Sequence, residues 1–423
     1  MRHKPVLRTA VLVAVATILS LSISTFATAA TSQVTIKWME WWVNEWGPNN
    51  FNALMAGFAK DNPNIKVDVV DTPYPEMPTK LNAAAAAGEN YDVFGTEGAW
   101  LIGLKKLGYV ENLDPWLAKD KPFAQTLLPT TLRKINGDTL SFCLYLIPYQ
   151  FAYNVDFFQQ AHLSPPTSWD QFVSVEKAMH TSSSRYGMSL TFGDGGFVAT
   201  RYFGFRLAQE GGQFMDASGH ITLNSAAGVR AVNWWKSFYD MGLAVPGSMG
   251  EDQTRMLEYL ASGQVDSIID GPFIWSKAKQ IDPNIKIAYA PPWHARTGGY
   301  LWSCSGVAMS AKSPNKDAAW TFLKYLYSQP ASIMMTKAVS LPWADKFSMD
   351  SLSSSTDPML KYAGQMANQD PKANITLPIL PATGGLFDSF KSDWQDMMSG
   401  KETAQQGLDK IAAGWQQAID QSK

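Results

Sequence analysis

The hydrophobic pattern of the chain alternates between short strands and amphipathic helices. Residues 34–39 alternate apolar and polar side chains, which predicts a strand, and a helix is predicted over 48–60. Further strands over 65–70 and 91–94 flank an alanine-rich helix over 81–87. This alternation predicts an α/β fold with a mostly parallel sheet that is covered by helices on both faces.

Residues 141–157 form the segment around which the rest of the chain is arranged. They begin as an apolar run typical of a buried strand, and Pro148 then interrupts the ladder because proline lacks a backbone donor. A second short apolar run leads to Asn154, a candidate helix cap. The segment therefore predicts a passage of the chain from one lobe to another. Two later segments, 300–309 and 341–343, predict a second and a third crossing.

The first 30 residues have the organisation of a secretory signal peptide. Basic residues precede an apolar run, and the small residues around Ala27 to Ala29 form a cleavage pattern. We expect cleavage near Ala29 or Ala30 and export to the periplasm. The alternative is a membrane anchor, which the shortness of the apolar run disfavours. No cysteine follows the cleavage site directly, so we expect no lipid anchor.

Composition and charge narrow the possible functions. The chain has 423 residues, of which 46% are hydrophobic, enough to build sizeable cores in two or more domains. The formal net charge is −2 and becomes more negative when the basic signal peptide is removed, so we expect no nucleic-acid partner. Cys143 and Cys304 are the two cysteines. An exported chain permits a disulfide between them, and two buried thiols are the alternative.

No motif of a known catalytic or cofactor site stands out. The histidines after the signal peptide lack metal-ligand spacing, and the glycine-rich segment 192–197 lacks the third glycine of a dinucleotide fingerprint. A nucleophile elbow and a phosphate loop are also absent from the sequence. We therefore expect no cofactor, no metal and no enzymatic activity. A glycosidase needs only two carboxylates, so a secreted carbohydrate-active enzyme stays open as an alternative.

Aromatic residues are abundant, and several stand beside glycine or proline rather than on helical faces. The chain holds 16 Trp, 15 Tyr and 21 Phe. Aromatic rings cover the apolar faces of sugars, while carboxylates and amides bind the hydroxyl groups. Trp41, Trp42 and Glu97 follow predicted strands, where α/β sheets present ligands. Because consecutive side chains on an extended backbone point opposite ways, we expect one tryptophan in the core and the other facing a ligand. Burial in the core is the alternative for each aromatic residue.

Short motifs occur in one order along most of the chain, at residues 34–38, 58–67, 88–92, 147–154, 166–169, 269–275, 306–309 and 313–320. They include Asn-Pro-Asn-Ile-Lys-Val in the second segment, Ile-Asp-Gly-Pro-Phe-Ile-Trp in the sixth and Ser-Pro-Asn-Lys-Asp-Ala-Ala-Trp in the last. Together they resemble the bacterial extracellular solute-binding proteins of sugar ABC importers, the maltodextrin-binding-like group. The order and spacing of the motifs are more specific than any one of them.

The resemblance implies a two-lobed periplasmic binding protein fold with three hinge crossings. The N-terminal lobe would comprise residues 31–149 and 307–342, and the C-terminal lobe 150–306 and 343–423. It implies a monomer that captures a carbohydrate by hinge closure and delivers it to the membrane permease subunits of the importer. A binder of a non-sugar solute with the same fold stays open as a second alternative.

The resemblance also suggests where ligand contacts lie. Residues 40–45 and 95–100 would line the first lobe, and Phe273 stands where relatives often have tryptophan. The candidate ligand contacts from the residues and the resemblance together are Trp41, Trp42, Glu97, Tyr149, Gln150, Asp194, Tyr202, Phe273, Trp275, Trp302, Trp343 and Phe387.

Overall fold

The computed structural model describes residues 33–128, 131–180, 184–191, 197–272, 274–352, 354–380 and 383–422. Its strands are β1 (Val34–Glu40), β2 (Ile65–Asp71), β3 (Val93–Glu97), β4 (Leu132–Ile135), β5 (Asp138–Pro148), β6 (Gln150–Asn154), β7 (Tyr186–Met188), β8 (Val265–Asp270), β9 (Ile287–Tyr289), β10 (Leu301–Met309) and β11 (Ile375–Thr376).

The helices of the first half are α1 (Trp42–Trp46), α2 (Pro48–Asp61), α3 (Met77–Ala87), α4 (Gly98–Lys106), α5 (Asp114–Lys119), α6 (Lys121–Ala124), α7 (Val155–Gln160), α8 (Trp169–Met179) and α9 (Phe197–Gln209). Those of the second half are α10 (Ala226–Asp240), α11 (Gln253–Ser262), α12 (Ile274–Ile281), α13 (Lys316–Leu326), α14 (Gln329–Val339), α15 (Lys346–Leu352), α16 (Pro358–Gln369), α17 (Thr383–Met398) and α18 (Ala404–Ser422).

Two sheets, one in each lobe, organise the strands. In the described residues the first sheet has the order β2-β1-β3-β10-β5-β4, with β11 added beside β10. Strand β1 is parallel to β2 and β3, whereas β10 is antiparallel to β3 and β5. The second sheet has the order β7-β8-β6-β9, and β6 is antiparallel to both neighbours. The α/β class is confirmed.

The expectation of a mostly parallel sheet is wrong. Antiparallel pairs join β3 to β10, β10 to β5 and β5 to β4 in the first sheet. A parallel neighbour requires a crossover connection, usually a helix, between the two strands. Strand β5 instead continues almost directly into β6 of the other sheet. The alternation of strands and helices therefore does not extend to this part of the chain.

In the described part of the chain, three places connect the lobes. Strand β5 ends at Pro148 and β6 begins at Gln150, so the chain changes sheets at Tyr149. Along β10, Leu301, Trp302 and Cys304 pack in the core of the second lobe, whereas Val307, Ala308 and Met309 pack in that of the first. Near the third predicted crossing, Trp343 belongs to the first core and Ala344 to the second.

Cys143 of β5 and Cys304 of β10 form a disulfide, with Cα atoms 5.4 Å apart and a sequence separation of 161. The bond joins the two strands that pass between the lobes, and it decides between the two alternatives for these cysteines. The predicted signal peptide, residues 1–30, lies outside the described residues. Within the described ranges, the helices lack the combination of length and apolar character that a membrane span requires.

Candidate functional site

Three carboxylates end strands that point toward the junction of the lobes. Glu40 is the last residue of β1, Glu97 of β3 and Asp270 of β8. Glu40 is fully buried and accepts the backbone N–H of Trp41 at 2.7 Å, while Glu97 Oε1 accepts the hydroxyl of Ser305 at 2.8 Å. Carboxyl ends of strands are the usual ligand positions in α/β sheets, so these acceptors mark a candidate site.

Tyr149, at the first crossing, lies among charged groups from both lobes. The guanidinium of Arg201 is 5.2 Å from its ring centroid, and Arg201 donates to Asp270 Oδ1 at 2.9 Å. Burial raises the pKa of Tyr149; Asp270 and Glu97 raise it further, while Arg201 and a hydrogen bond with Ser303 lower it. Glu97 belongs to the first lobe and Asp270 to the second, so Tyr149 lies between carboxylates of the two lobes.

Gln150, which follows Tyr149, brings a buried side-chain amide to the same place. It begins β6 opposite Asp270 of β8, and the residue is only 2% exposed. Neither its amide nitrogen nor its amide oxygen has a hydrogen-bond partner among the described residues. A buried polar group without a partner costs about 1–3 kcal/mol, which a hydroxyl-bearing ligand would recover. Glu97, Tyr149, Gln150, Arg201 and Asp270 are called the central cluster below.

An aromatic group lies in the first lobe beside the ends of β1 and β3. The ring centroid of Trp41 is 4.6 Å from that of Trp42, 5.2 Å from Tyr74 and 5.8 Å from Trp100. Tyr74 is 43% exposed, so this group reaches the surface. Trp42 is fully buried and stacks on Trp46 at 4.9 Å. Trp41 is only 5% exposed, but it contacts the partly exposed Tyr74, so Trp42 is the more deeply packed member of the pair and Trp41 stays the candidate for ligand contact.

Gly95 of β3 is required for the position of Trp41. A Cβ atom at residue 95 would lie 2.6 Å from both carboxylate oxygens of Glu40 and 2.6 Å from a ring carbon of Trp41. Such separations are far shorter than van der Waals contact, so any side chain at this position would displace both groups. The absence of a Cβ thus allows the tryptophan and the carboxylate to pack directly on the backbone of β3.

Two cavities open between the lobes. One, of about 660 Å³, is lined by Trp46, Tyr153, Pro272, Trp275, Tyr289, Ser340, Leu341, Asp357, Met359 and Tyr362, among others. The other, of about 1110 Å³, carries the basic residues Lys105, Lys106, Arg133 and Lys134 on one side. Burial lowers the pKa of Arg133, and the charge of Glu97 opposes this shift. Arg133 therefore connects the second cavity electrostatically with the central cluster.

Of the candidate contacts, the structure places Glu97, Tyr149 and Gln150 at the first crossing, and it places Trp41 and Trp42 at the end of β1, where Trp41 packs against β3. Trp275 lies apart from them and lines the smaller cavity. Asp194 and Phe273 lie outside the described residues. Across the described part of the chain, no group of His, Cys, Asp and Glu is arranged to hold a metal ion.

The other four candidates are packed in the cores. Trp343 is fully buried and donates its indole N–H to the carbonyl of Leu326 at 2.8 Å, so it serves the first core and we withdraw it as a ligand contact. Tyr202 donates its hydroxyl to the carbonyl of Ser189, and Phe387 packs 5.8 Å from Trp415. Trp302 is 5% exposed on β10, where it pairs with Pro148. These rings contribute to packing behind the junction.

Sequence reasoning missed Arg201, Asp270 and Ser305. The sequence does contain a signal for Asp270 as a site residue, because it is the last residue of an apolar strand. The prediction instead took Phe273 and Trp275 from the motif at 269–275. Arg201 lies in α9 and Ser305 in β10, and neither stands in a distinctive pattern. Only the fold brings Arg201 to Asp270, which is 69 residues away in sequence.

Two lobes joined by crossing strands, with polar groups at strand ends between them, define a two-lobed binding protein. The chain belongs to the family of bacterial extracellular solute-binding proteins, whose sequence model matches residues 45–332. It is 25% identical to a binding protein of Brucella abortus over 286 residues, which cover 66% of this chain and 68% of that protein.

Two other comparisons cover most of the chain. The chain is 23% identical to the galactooligosaccharide-binding protein of Bacillus subtilis over 390 residues, 88% of this chain and 87% of that one. Its structure is similar to that of the GacH receptor of Streptomyces glaucescens, solved unliganded and with acarbose. That superposition has a TM-score of 0.74 at 22% identity and covers 92% of this chain and 100% of the receptor. The two-lobed fold is confirmed.

Proposed function

We propose that the protein captures a carbohydrate between its lobes in the periplasm and delivers it to the permease subunits of an ABC importer. The observation that carries this proposal is the central cluster, which combines carboxylates from both lobes with a buried amide that has no hydrogen-bond partner among the described residues. Two of the similar proteins support a sugar ligand, since one is named for galactooligosaccharide binding and the other was solved with acarbose.

Each group of the site has a role in this proposal. The carboxylates of Glu97 and Asp270 accept sugar hydroxyls, and the amide of Gln150 both donates and accepts. Trp41 covers an apolar face of a sugar ring. Because Glu97 and Trp41 belong to the first lobe and Gln150 and Asp270 to the second, a bound sugar contacts both lobes and favours their closed arrangement.

The remaining parts of the proposal follow from the family and the sequence. The protein acts as a monomer after removal of residues 1–30, and the importer supplies the energy. Residues 31–149 and 307–342 move as one lobe, and 150–306 and 343–423 as the other. The protein binds its ligand without transforming it.

Calorimetric titration of the mature protein with a panel of mono- and oligosaccharides tests the proposal. We expect tight binding of at least one carbohydrate, with the sugar recovered unchanged after prolonged incubation and chromatography. Recovery of cleaved products would favour a carbohydrate-active enzyme instead. Failure of every carbohydrate, with binding of a non-sugar solute, would overturn the sugar assignment but leave the family intact.

A further inference from the structure

Gln253, the first residue of α11, contacts the central cluster without belonging to it. Its side-chain amide donates from Nε2 to Oδ2 of Asp270 at 2.7 Å. Asp270 ends β8 in the second lobe and is only 1% exposed, so bulk water supplies few of the hydrogen bonds of its carboxylate. The protein groups around this carboxylate therefore decide where its two oxygens point.

The carboxylate of Asp270 is held from three directions. Oδ1 accepts the guanidinium of Arg201 at 2.9 Å and the backbone N–H of Gly271 at 2.7 Å, and Oδ2 accepts the amide of Gln253. A carboxylate has about four acceptor positions, shared equally between its oxygens. Contacts from the described residues use both positions on Oδ1 and leave one on Oδ2, the oxygen that Gln253 binds.

Gln253 fixes the orientation of that oxygen. Arg201 and Gly271 bind Oδ1 only, so by themselves they leave the carboxyl group able to turn about its Cβ–Cγ bond. The contact on Oδ2 removes this freedom, so the remaining acceptor position keeps one direction relative to β8. Without Gln253, the cost of ordering the carboxylate would offset part of the binding free energy of a sugar hydroxyl.

Asp270 in turn holds a group at the first crossing. Its Oδ1 binds Arg201, whose guanidinium is 5.2 Å from the ring centroid of Tyr149. A carboxylate with a fixed orientation therefore also fixes the cation that lies over this ring. Loss of the Gln253 amide would loosen two groups of the central cluster rather than one.

The start of α11 is held in place independently of the Gln253 side chain. Asp252 caps the helix by accepting the backbone N–H of Arg255 at 2.9 Å. Met256, in the first turn, is buried in one core cluster with Ile268 of β8. Neither contact involves the amide of Gln253, so we expect a substitution of this residue to leave the helix and its packing intact.

We propose that Gln253 is a positioning residue of the carbohydrate site, which directs Oδ2 of Asp270 toward a ligand hydroxyl without touching the ligand itself. The inference rests on the proposed function, because the ligand is the same carbohydrate. It adds to the site a residue from α11, a helix that contributes no member of the central cluster.

Calorimetric titration of two variants with unbranched side chains tests this inference. Gln253→Met removes the donor and keeps a similar length, whereas Gln253→Lys keeps a donor for the carboxylate. The probes are maltotriose, galactobiose and acarbose, together with any other sugar of the panel that wild type binds. We expect Gln253→Met to bind about tenfold more weakly than wild type, and Gln253→Lys to bind close to wild type.

The same substitution in a second background shows whether Gln253 acts through Asp270. Asp270→Asn removes the charge and one acceptor oxygen, so there is no carboxylate left for Gln253 to orient. Gln253→Met should therefore cost much less affinity in the Asp270→Asn protein than in wild type. Equal losses in the two backgrounds would mean that Gln253 acts independently of Asp270, and they would overturn the assignment.

Gln329→Met is the matched control. Gln329 is likewise the first residue of its helix, α14, but it is exposed and its helix packs in the core of the first lobe. This variant should bind every probe like wild type. Wild-type affinity of Gln253→Met, or a Gln253→Lys protein as weak as Gln253→Met, would overturn the positioning role. Failure of wild type to bind any carbohydrate would instead overturn the proposed function.

Discussion

The side-chain amide of Gln150 is the single group on which the proposed carbohydrate contact most depends. It is buried and has no hydrogen-bond partner in the described part of the chain, so we expect it to reduce the stability of the free protein and to be available to a ligand. Gln150→Leu should therefore raise the free energy of unfolding, by up to about 1–3 kcal/mol, because the unpaired polar atoms are removed.

The same substitution should weaken carbohydrate binding about tenfold, since hydrogen bonds to the ligand are lost. Urea denaturation and calorimetric titration measure the two effects on one sample. A less stable Gln150→Leu protein that binds sugar like wild type would show that the amide has a structural role only.

Gly95 offers a second test at the scale of one residue. Gly95→Ala places a methyl group against the carboxylate of Glu40 and the ring of Trp41, so we expect carbohydrate affinity to fall about tenfold or more. Gly103→Ala is the control, because a Cβ there meets only Asn82 Oδ1 at 3.9 Å in an exposed part of α4. The control should gain up to about 1 kcal/mol of stability and bind normally. Equal affinities for the two variants would contradict the position assigned to Trp41.

Among elements, β5 and β10 are joined covalently as well as by hydrogen bonds. Their disulfide closes a loop of 161 residues and thereby restricts the unfolded chain. The double variant Cys143→Ala/Cys304→Ala should lose about 2–4 kcal/mol of unfolding free energy, measured by urea denaturation.

Intact-mass analysis after alkylation without reductant checks the bond directly. Wild type should show no modified thiol, and each single variant should show one. Two modified thiols in unreduced wild-type protein would contradict the disulfide.

Helix α15 begins at a buried carboxylate, which makes stability depend on pH. Burial raises the pKa of Asp345 from 3.8 to about 6, despite its hydrogen bond from the N–H of Ser348. Because the folded state binds this proton more tightly, the stability it contributes is complete below about pH 4 and is lost as pH rises through about 6.

Asp345→Asn keeps a cap acceptor for Ser348 but does not ionise. Relative to wild type, the variant should gain up to about 3 kcal/mol between pH 4 and pH 7, measured by denaturant unfolding at each pH. A difference between the two proteins that does not change with pH would mean that Asp345 is not buried as described.

Some of the helices and strands could be predicted from the sequence, and others could not. Helix α2 could be predicted because Phe51, Leu54 and Phe58 recur at helical spacing and are buried in the structure. The antiparallel direction of β10 could not be predicted from the sequence. It depends on pairing with β3 and β5, which lie more than 150 residues earlier in the chain.

The same limit separates the site residues that were predicted from those that were missed. Glu97 ends a strand and Gln150 follows the proline of the first crossing, so local pattern identified both. Arg201 reaches Asp270 only through the tertiary fold, because the two residues lie 69 positions apart in the sequence. Trp343 was predicted as a site residue because it follows a proline. Its indole is fully buried, however, and donates its N–H to a backbone carbonyl in the first core.

For the whole molecule, the central claim is that one ligand holds the two lobes together. The central cluster takes Glu97 from the first lobe and Arg201 and Asp270 from the second, with Tyr149 at the crossing between them. A carbohydrate that binds both sets of groups lowers the free energy of the closed arrangement relative to an open one.

Small-angle X-ray scattering of the mature protein, alone and saturated with the tightest-binding carbohydrate of the panel, tests this claim most directly. We predict a smaller radius of gyration in the saturated sample, because closure brings the lobes together. Gln150→Leu serves as the control when it is compared with wild type at a sugar concentration near the wild-type Kd, where its roughly tenfold weaker binding should leave it closer to the free state. An unchanged radius of gyration in a sample that calorimetry shows to be saturated would contradict closure on the ligand.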